Sequence, residues 1–279
     1  MNMRTDNRAI TATRPADLAA AMPVKEASQT LARGLRVLEA IADGGEGMAV
    51  RELARTCALP RSIVQRLLYT LEAEGYLERH PSQVGYRLAI KVWGLGCAAV
   101  RRLTVREVAR PYLEDLSART SEMTKLGVLD GADVVYVDRV ECPLAVRAYV
   151  PIGGRAPAHS VATGKAILAF LPPDRLRASG VAAGRSSGKP LLAEFEQIRR
   201  RGYAVNRGEW EQAVGAIAAP VFDAQSDVVA SIGIILPSHR LTAAKATQMG
   251  TWTAAAAAEI SRRLGSGLDR ASPAARRAG

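Results

Sequence analysis

The residues best placed to do chemistry lie along one stretch near the first quarter of the chain. Advancing about 100° per residue from Arg61 sets Arg61, Ser62, Gln65, Arg66 and Tyr69 on an arc from about 0° to 140°. On the same wheel Ile63, Val64, Leu67, Leu68 and Leu71 fall between about 200° and 340°, with no overlap. One arc packs a core. The other offers two guanidiniums, an amide, a hydroxyl and a phenol, and the acids Glu72 and Glu74 come only at the C-terminal end. Arginine pairs bidentately with guanine and glutamine with adenine, so Arg61, Gln65 and Arg66 are natural readers of base edges. Ser62, Tyr69 and Thr70 suit phosphate or a thymine methyl, and Arg33 and Gln83 complete the expected set of DNA contacts. A solvated helix face in a helical bundle would show the same two arcs, so the neighbouring elements have to decide.

A second stretch, Gly154 to Lys165, invites comparison with a phosphate-binding loop and fails it. That loop needs Gly-x4-Gly-Lys-Ser/Thr, whereas His159 stands five residues before Gly164 and Ala166 follows Lys165. Backbone N–H groups of Val161, Ala162 and Thr163 at a helix start would instead suit a small carboxylate. A plain cap by Ser160 is the simpler alternative. His80, His159 and His239 lack ligand spacing, so no metal site is expected. Arg199-Arg200-Arg201 ends a helix, where cations suit the dipole. Trp93 and Trp252 fall at apolar helical positions and read as core, while Trp210 lies in a loop and is less readily assigned to one.

The elements that must position these residues can be read in order. Ser28 and Thr30 are candidate caps for a first helix carrying Leu31, Leu35, Leu38 and Ile41, ended by Gly44-Gly45. Val50 to Cys57 is a short second helix, and Pro60 suits the first position of the next. Gly75 closes that helix. Tyr76–Arg79 and Gly85–Leu88 then form a hairpin around His80–Gln83. Helix, short helix, turn, amphipathic helix and hairpin make a winged helix-turn-helix. Residues 89–119 read as a long helix or helix pair that Pro111 should kink or break. Beyond it, Met123–Leu129 and Val134–Val140 flank an Asp130-Gly131 turn, and Leu144–Val150 extends the sheet. Helices follow at Ser160–Leu171, Leu191–Arg201 and Leu241–Leu264, the last with Met249, Trp252, Ala256 and Ile260 on one face. Strands follow at Tyr203–Asn206, Ala216–Phe222 and Val228–Leu236. This is an α+β fold, helices packed on an antiparallel sheet.

The domain plan expected is a disordered arm over 1–24, a winged helix-turn-helix over 25–90, a linker helix over 91–113, an α+β domain over 114–265 and a basic disordered tail over 266–279. At 279 residues and 48% hydrophobic content the chain is long and apolar enough to bury real cores,. No run approaches the roughly 18 apolar residues of a membrane span. The N-terminus shows no signal-peptide pattern, and Cys57, Cys97 and Cys142 form no disulfide framework, so a reducing cytoplasm is expected. The net charge is +11, which favours a polyanionic partner. About four of those charges lie in residues 91–110 and four in 262–279. The helix-turn-helix is nearly neutral, so binding would rest on local placement of arginine, on the linker and on dimerisation.

Four stretches carry a family resemblance: SQTLARGLRVLEAIADGGEGMAVRELARTCALPRSIVQRLLYTLEAEGYLER; GYRLAIKVWGLG leading to LTVREVARPYLEDLS; VPIGGRAPAHSVATGKAILAFLP; and RGYAVNRGEWEQAVGAIAAPVFD. Over roughly residues 28–264 the chain resembles the IclR family of bacterial transcription regulators. Generic winged helices lack the third and fourth stretches. The resemblance implies a winged helix-turn-helix, a linker helix and a GAF-like effector-binding domain. It implies homodimers, with dimers of dimers common, on double-stranded operator DNA. Effectors would be small carboxylic acids, with no cofactor. Members include repressors and activators. Carried over, the effector pocket takes Ala145 and Ala148 on the strand before the PIGG loop, and Ala162 and Thr163 ahead of the GKA helix. Asn206, Val214 and Ala216 come from the next strand region, and Gly233 and Ile235 from the last strand. Some members carry an acid at the position of Asn206 and hydroxyls at those of Gly233 and Ile235. The neutral or apolar residues here would leave a ligand hydroxyl unpaired, which favours an aromatic or aliphatic acid over a polyhydroxy acid. Two other readings remain: an enzyme using the same pocket, which would need a nucleophile or acid–base pair there, and an effector-blind DNA binder, whose pocket would be filled by side chains.

Overall fold

The computed structural model describes residues 28–44, 47–80, 84–100, 104–179, 185–186 and 189–266. The chain divides between Ala99 and Val100 into two compact units. In the first, Ser28 caps helix α1 (Gln29–Asp43), its hydroxyl accepting the Leu31 N–H at 3.3 Å. Helices α2 (Val50–Thr56) and α3 (Arg61–Ala73) follow, and all three close on Val37, Ile41, Leu53, Val64 and Leu68. The buried stripe of α1 is Gly34, Val37 and Ile41. Leu31 and Leu35, expected in that core, are exposed. Gly34, Val37 and Ile41 fall within about 60° of one another on the helix wheel, and Leu31 and Leu35 lie outside that arc.

Pro60 precedes α3 as its cap rather than opening it. Gly75 (φ +75°) closes it in a left-handed turn: the Tyr76 N–H reaches the Leu71 carbonyl at 2.8 Å and the Gly75 N–H the Glu72 carbonyl at 3.0 Å,. Strands β1 (Leu77–Arg79) and β2 (Tyr86–Leu88) pair antiparallel, with Leu77 opposite Leu88. They are the expected wing, one residue shorter at the start of each strand. Helix α4 (Ile90–Val100) leaves Trp93 66% exposed, so the core role expected of that residue does not hold in this chain.

The second unit is built on a six-stranded antiparallel sheet, in the order Arg155–Pro157, Asp133–Val140, Met123–Asp130, Val228–Pro237, Val214–Phe222, Ala204–Arg207. Helix α5 (Thr104–Thr120) enters it and runs unbroken through Pro111. Of the expected kink or break at Pro111, the break does not occur: Val105, Ala109, Leu113 and Leu116, on both sides of the proline, are buried and hold the helix against the core. β3 (Met123–Asp130) and β4 (Asp133–Val140) form the hairpin about Gly131, and β5 (Arg155–Pro157) pairs along β4. A 3₁₀ turn (Ala158–Ser160) leads into α6 (Ala162–Leu168), then α7 (Pro173–Ala178), the short strands β6 (Arg185–Ser186) and β7 (Lys189–Pro190), and α8 (Leu191–Arg201). β8 (Ala204–Arg207), β9 (Val214–Phe222), β10 (Val228–Pro237) and α9 (Ala243–Arg263) complete it. One sheet face packs α5 and α9 through Leu113, Leu116, Ile232 and Ile260. The other packs α6 and α8 through Ala166, Ile167, Phe195 and Ile198. Nearly every strand is therefore covered on both sides.

Two expected elements change. Leu144–Val150 is not a strand. Its carbonyls bond to side chains instead: Val150 accepts from Arg139 Nη1 at 2.5 Å and Val146 from both Arg240 Nη atoms at 3.2 Å. The helix expected from Ser160 starts at Ala162, without a side-chain cap. The Ser160 carbonyl accepts from Asn206 Nδ2 at 2.5 Å, which fixes the turn from outside.

α6 lies close enough to the 3₁₀ turn that a Cβ on Gly164 would come within 2.1 Å of the Ala158 carbonyl oxygen. Backbone cannot yield as a side chain does. Gly164→Ala is therefore expected to destabilise the second unit by about 3 kcal/mol, read as a fall in Tm of several degrees.

Candidate nucleic-acid interface and ligand pocket

α3 presents Arg61, Ser62, Gln65, Arg66, Tyr69 and Thr70 to solvent and buries Val64, Leu67 and Leu68. The two arcs read from the sequence are the two faces of the helix. Gln65 Nε2 donates to the Tyr69 hydroxyl at 3.1 Å, which presets both side chains on the outer face. The Thr70 hydroxyl donates back to the Arg66 carbonyl at 3.1 Å, leaving its methyl as the outward group. Arg33 Nη2 reaches Gln29 at 3.4 Å on α1. Gln83 lies outside the described residues, as do Arg101 and Arg102. The wing is tied down at its base by Arg79–Glu72 (3.1 Å) and Arg87–Glu78 (2.6 Å). Among the described residues Arg61 and Arg66 enter no ion pair. Two cations without an acid on a helix followed by a wing are what a phosphate- and base-contacting surface needs.

Of the arginines expected to lend charge from the linker, the two that are described are engaged within the second unit. Arg106 and Arg110 on α5 converge on the buried Asp138 of β4 at 3.2 and 3.1 Å, and Arg110 also holds Glu114 at 2.7 Å. Hydrogen bonding to Glu114, then the charge of Asp138, pushes the Arg110 pKa up against the opposing effect of burial. These guanidiniums fasten α5 to the sheet.

On the α6 side of the sheet a cavity of about 150 Å³ opens among β3, β4, β9 and β10. Of the expected pocket residues, Ala162, Asn206, Val214, Ala216 and Ile235 line it. Ala148 is buried just behind, against Met123, Cys142 and Ile235. Ala145 is exposed and away from the lining, because the segment that carries it is not a strand. Thr163 and Gly233 meet each other instead of the cavity: a Cβ on Gly233 would lie 3.2 Å from Thr163 Cγ2, and the Thr163 carbonyl accepts from Ser231 Oγ at 2.9 Å. Asn206 has both ends of its amide in use, Nδ2 on Ser160 and Oδ1 accepting from the Gly208 and Glu209 N–H groups at 3.0 and 3.2 Å.

Several lining residues escaped the sequence reading. Lys125 and Tyr136 sit at the inner end, both buried. Lys125 stands two residues before Gly127 on a strand covered on both faces, where alternation cannot separate inward from outward. Tyr149 and Trp210, each about half exposed, form part of the wall. Trp210 is the one tryptophan that the pattern does not assign to a core. Arg155 lines the cavity but is bound to Asp130 at 2.8 Å and Asp133 at 3.3 Å, and hydrogen bonding to Asp130 raises its pKa. Among the described residues no group of three His, Cys, Asp or Glu side chains could hold a metal ion.

Lys165, the residue that suggested a phosphate loop, faces protein. It is 0% exposed, with Nζ 2.6 Å from Glu194 Oε1 on α8 and 2.7 Å from Glu209 Oε1. It thereby ties α6 to the 208–213 loop that carries Trp210 and Glu211 to the cavity.

A winged helix-turn-helix joined to an α+β domain with a small-molecule cavity defines a ligand-responsive DNA-binding protein. The IclR helix-turn-helix domain matches residues 30–81, and the C-terminal domain of the bacterial transcriptional regulator IclR matches 97–262. The chain belongs to the IclR family of transcriptional regulators. It is 31% identical to the HTH-type transcriptional regulator XynR of Escherichia coli K12, over 85% of this chain and 97% of that protein. It is 30% identical to the transcriptional repressor IclR of the same organism, over 86% and 92%. A crystal structure of an IclR homologue from Microbacterium hydrocarbonoxydans, complexed with 4-hydroxybenzoate, superposes with a TM-score of 0.71 at 26% identity, over 84% of this chain and 98% of that one. These relatives are regulators rather than enzymes. No helix among the described residues is long and apolar enough to cross a membrane.

The Lys165 network generates a stability test. Lys165→Met leaves Glu194 and Glu209 facing one another with little solvent, an expected loss of about 3–5 kcal/mol. Adding Glu194→Gln and Glu209→Gln to the same chain should recover most of it. Thermal denaturation of the single and triple variants checks both.

Proposed function

We propose that the protein is a sequence-specific regulator whose operator binding is controlled by a small organic acid, an aromatic acid fitting best. The observation that carries this is the composition of the cavity. Tyr136, Tyr149, Trp210, Val150, Val214 and Ile235 give it a largely aromatic and apolar wall, Lys125, Arg155 and Glu211 bring charge to it, and its volume of about 150 Å³ is enough to admit one benzene ring. The Asn206 amide, the polar group that a sugar acid would use, is already spent on the protein. The 4-hydroxybenzoate bound to the Microbacterium homologue supports the same ligand class. Ala162 and Thr163 remain proposed backbone contacts, and Ala145 and Ala148 proposed outer ones.

Arg61, Gln65 and Arg66 read bases, and Ser62, Tyr69, Thr70, Arg33 and Gln83 contact backbone or methyl groups. The protein acts as a homodimer, which a palindromic operator requires. Leu31, Leu35, Ile90 and Trp93, left exposed on α1 and α4, suit a second copy. A dimer of dimers and a cytoplasmic location follow the family. Effector binding shifts the balance between two arrangements of the DNA-binding domains by its differential affinity for them. The open cavity disfavours an effector-blind binder.

Footprinting on the DNA upstream of the protein's own coding sequence should show one protected palindrome whose affinity moves with a carboxylic acid. Protection indifferent to a panel of such acids would contradict the proposal. Arg61→Ala or Gln65→Ala should cost about 1–3 kcal/mol at one operator position and relax base preference there. An equal loss on random DNA, measured by fluorescence anisotropy, would refute the assigned role.

A further inference from the structure

We propose that Lys125 is the cationic anchor of the cavity, pairing with the carboxylate of the bound acid while Tyr136 supplies a second donor. This rests on the reading of the cavity as the effector site.

Lys125 is only 3% exposed, yet it lines the cavity. Its ammonium makes one hydrogen bond, to the Tyr136 hydroxyl at 3.2 Å, and lies 4.3 Å from the centre of the same ring. Among the described residues no carboxylate comes within ion-pairing distance; Glu211 shares the lining without pairing to it. Its neighbours across the sheet are Gly233 on β10, which has no side chain, and Arg139 on β4. Arg139 is itself committed to Glu141 at 2.8 Å and to the Val150 carbonyl. The other buried lysine of this domain, Lys165, has two carboxylates. A buried ammonium without a counter-ion is strongly penalised by desolvation, and a single aromatic face offsets only part of that. An ammonium carries three donors, and two are unspent here.

The geometry also orders the donors. Because Lys125 donates to the Tyr136 oxygen, the phenolic hydrogen is left for Thr163 Oγ1, 3.3 Å away, or for a ligand. A carboxylate at the inner end would accept from both Lys125 and Tyr136. The body of the ligand would then lie against Val214, Ala216 and Ile235. Arg155 cannot take this role while it is held by Asp130 and Asp133. The ligand class is a single-ring or short-chain monocarboxylate, and a neutral isostere is discriminated against by charge.

The test is calorimetric titration of the full chain with benzoate, phenylacetate and hexanoate, each beside its neutral amide. The wild-type protein should bind at least one acid ten times or more tighter than its amide. Lys125→Met should lower that acid's affinity at least tenfold and leave the amide within about threefold, because methionine keeps the bulk and removes the charge. Tyr136→Phe should weaken the acid several-fold. Equal affinity of acid and amide in the wild-type protein, or Lys125→Met binding the acid undiminished, or losing acid and amide alike, would overturn the anchor and leave the effector site standing. Failure of every acid and amide to bind the wild-type protein would overturn both.

Discussion

Much of the second unit depends on what is done with charge buried against one face of its sheet. Lys165 is taken out of water entirely and answered by Glu194 and Glu209 at 2.6 and 2.7 Å. Each carboxylate comes from a different element. One ammonium therefore fixes α6, α8 and the 208–213 loop to one another. Breaking such a cluster costs far more than an exposed pair. The loop so fixed delivers Trp210 and Glu211 to the cavity wall, and Asn206 at its start clamps the turn before α6 with both ends of its amide. The cavity is shaped by polar groups that are used up in shaping it. What remains for a ligand is aromatic and apolar surface, with the buried Lys125 ammonium at the inner end and the Glu211 carboxylate on the loop side.

The opposite face uses charge differently. Asp138 draws Arg106 and Arg110 of α5 onto β4, and the β3–β4 pairing slips between Leu126 and Gly127, so that Tyr136 and Asp138 serve opposite sides of the sheet. Tyr136 lines the cavity, and Asp138 holds the helix that leads in from the linker. The two residues are one peptide apart from each other's neighbour, Val137. A ligand that moves Tyr136 thus acts on the strand that anchors α5. Sub-ångström shifts at a site are passed on where packing has two discrete arrangements.

Much of this was legible in the sequence because it was periodic. The outer and inner faces of α3 follow from the spacing of Arg61, Gln65 and Arg66 against Val64, Leu67 and Leu68. The hairpin about Gly131 and the boundaries of α8 follow from turn and cap chemistry. The pocket was less legible, for a physical reason. β3, β9 and β10 are covered on both faces, so polar and apolar alternation says little about direction, and Lys125 looks like an ordinary strand lysine. Leu144–Val150 has the composition of a strand but gives its carbonyls to Arg139 and Arg240, two side chains distant in sequence. Lys165 prompted a nucleotide-loop template that its ion pairs show to be irrelevant. Five of the nine pocket residues carried over from the family resemblance line the cavity. Thr163 and Gly233 are spent on the contact between α6 and the sheet.

On the proposed reading a small acid in the C-terminal cavity and operator DNA at α3 bias one equilibrium. Thermodynamic coupling is reciprocal: the factor by which the acid changes operator affinity must equal the factor by which the operator changes acid affinity. The most direct measurement is a calorimetric cycle on the full-length protein, titrating acid with and without operator, and operator with and without acid. The account predicts two factors that agree and differ from one by about fivefold or more. A factor of one on both sides, with both ligands bound, would contradict it.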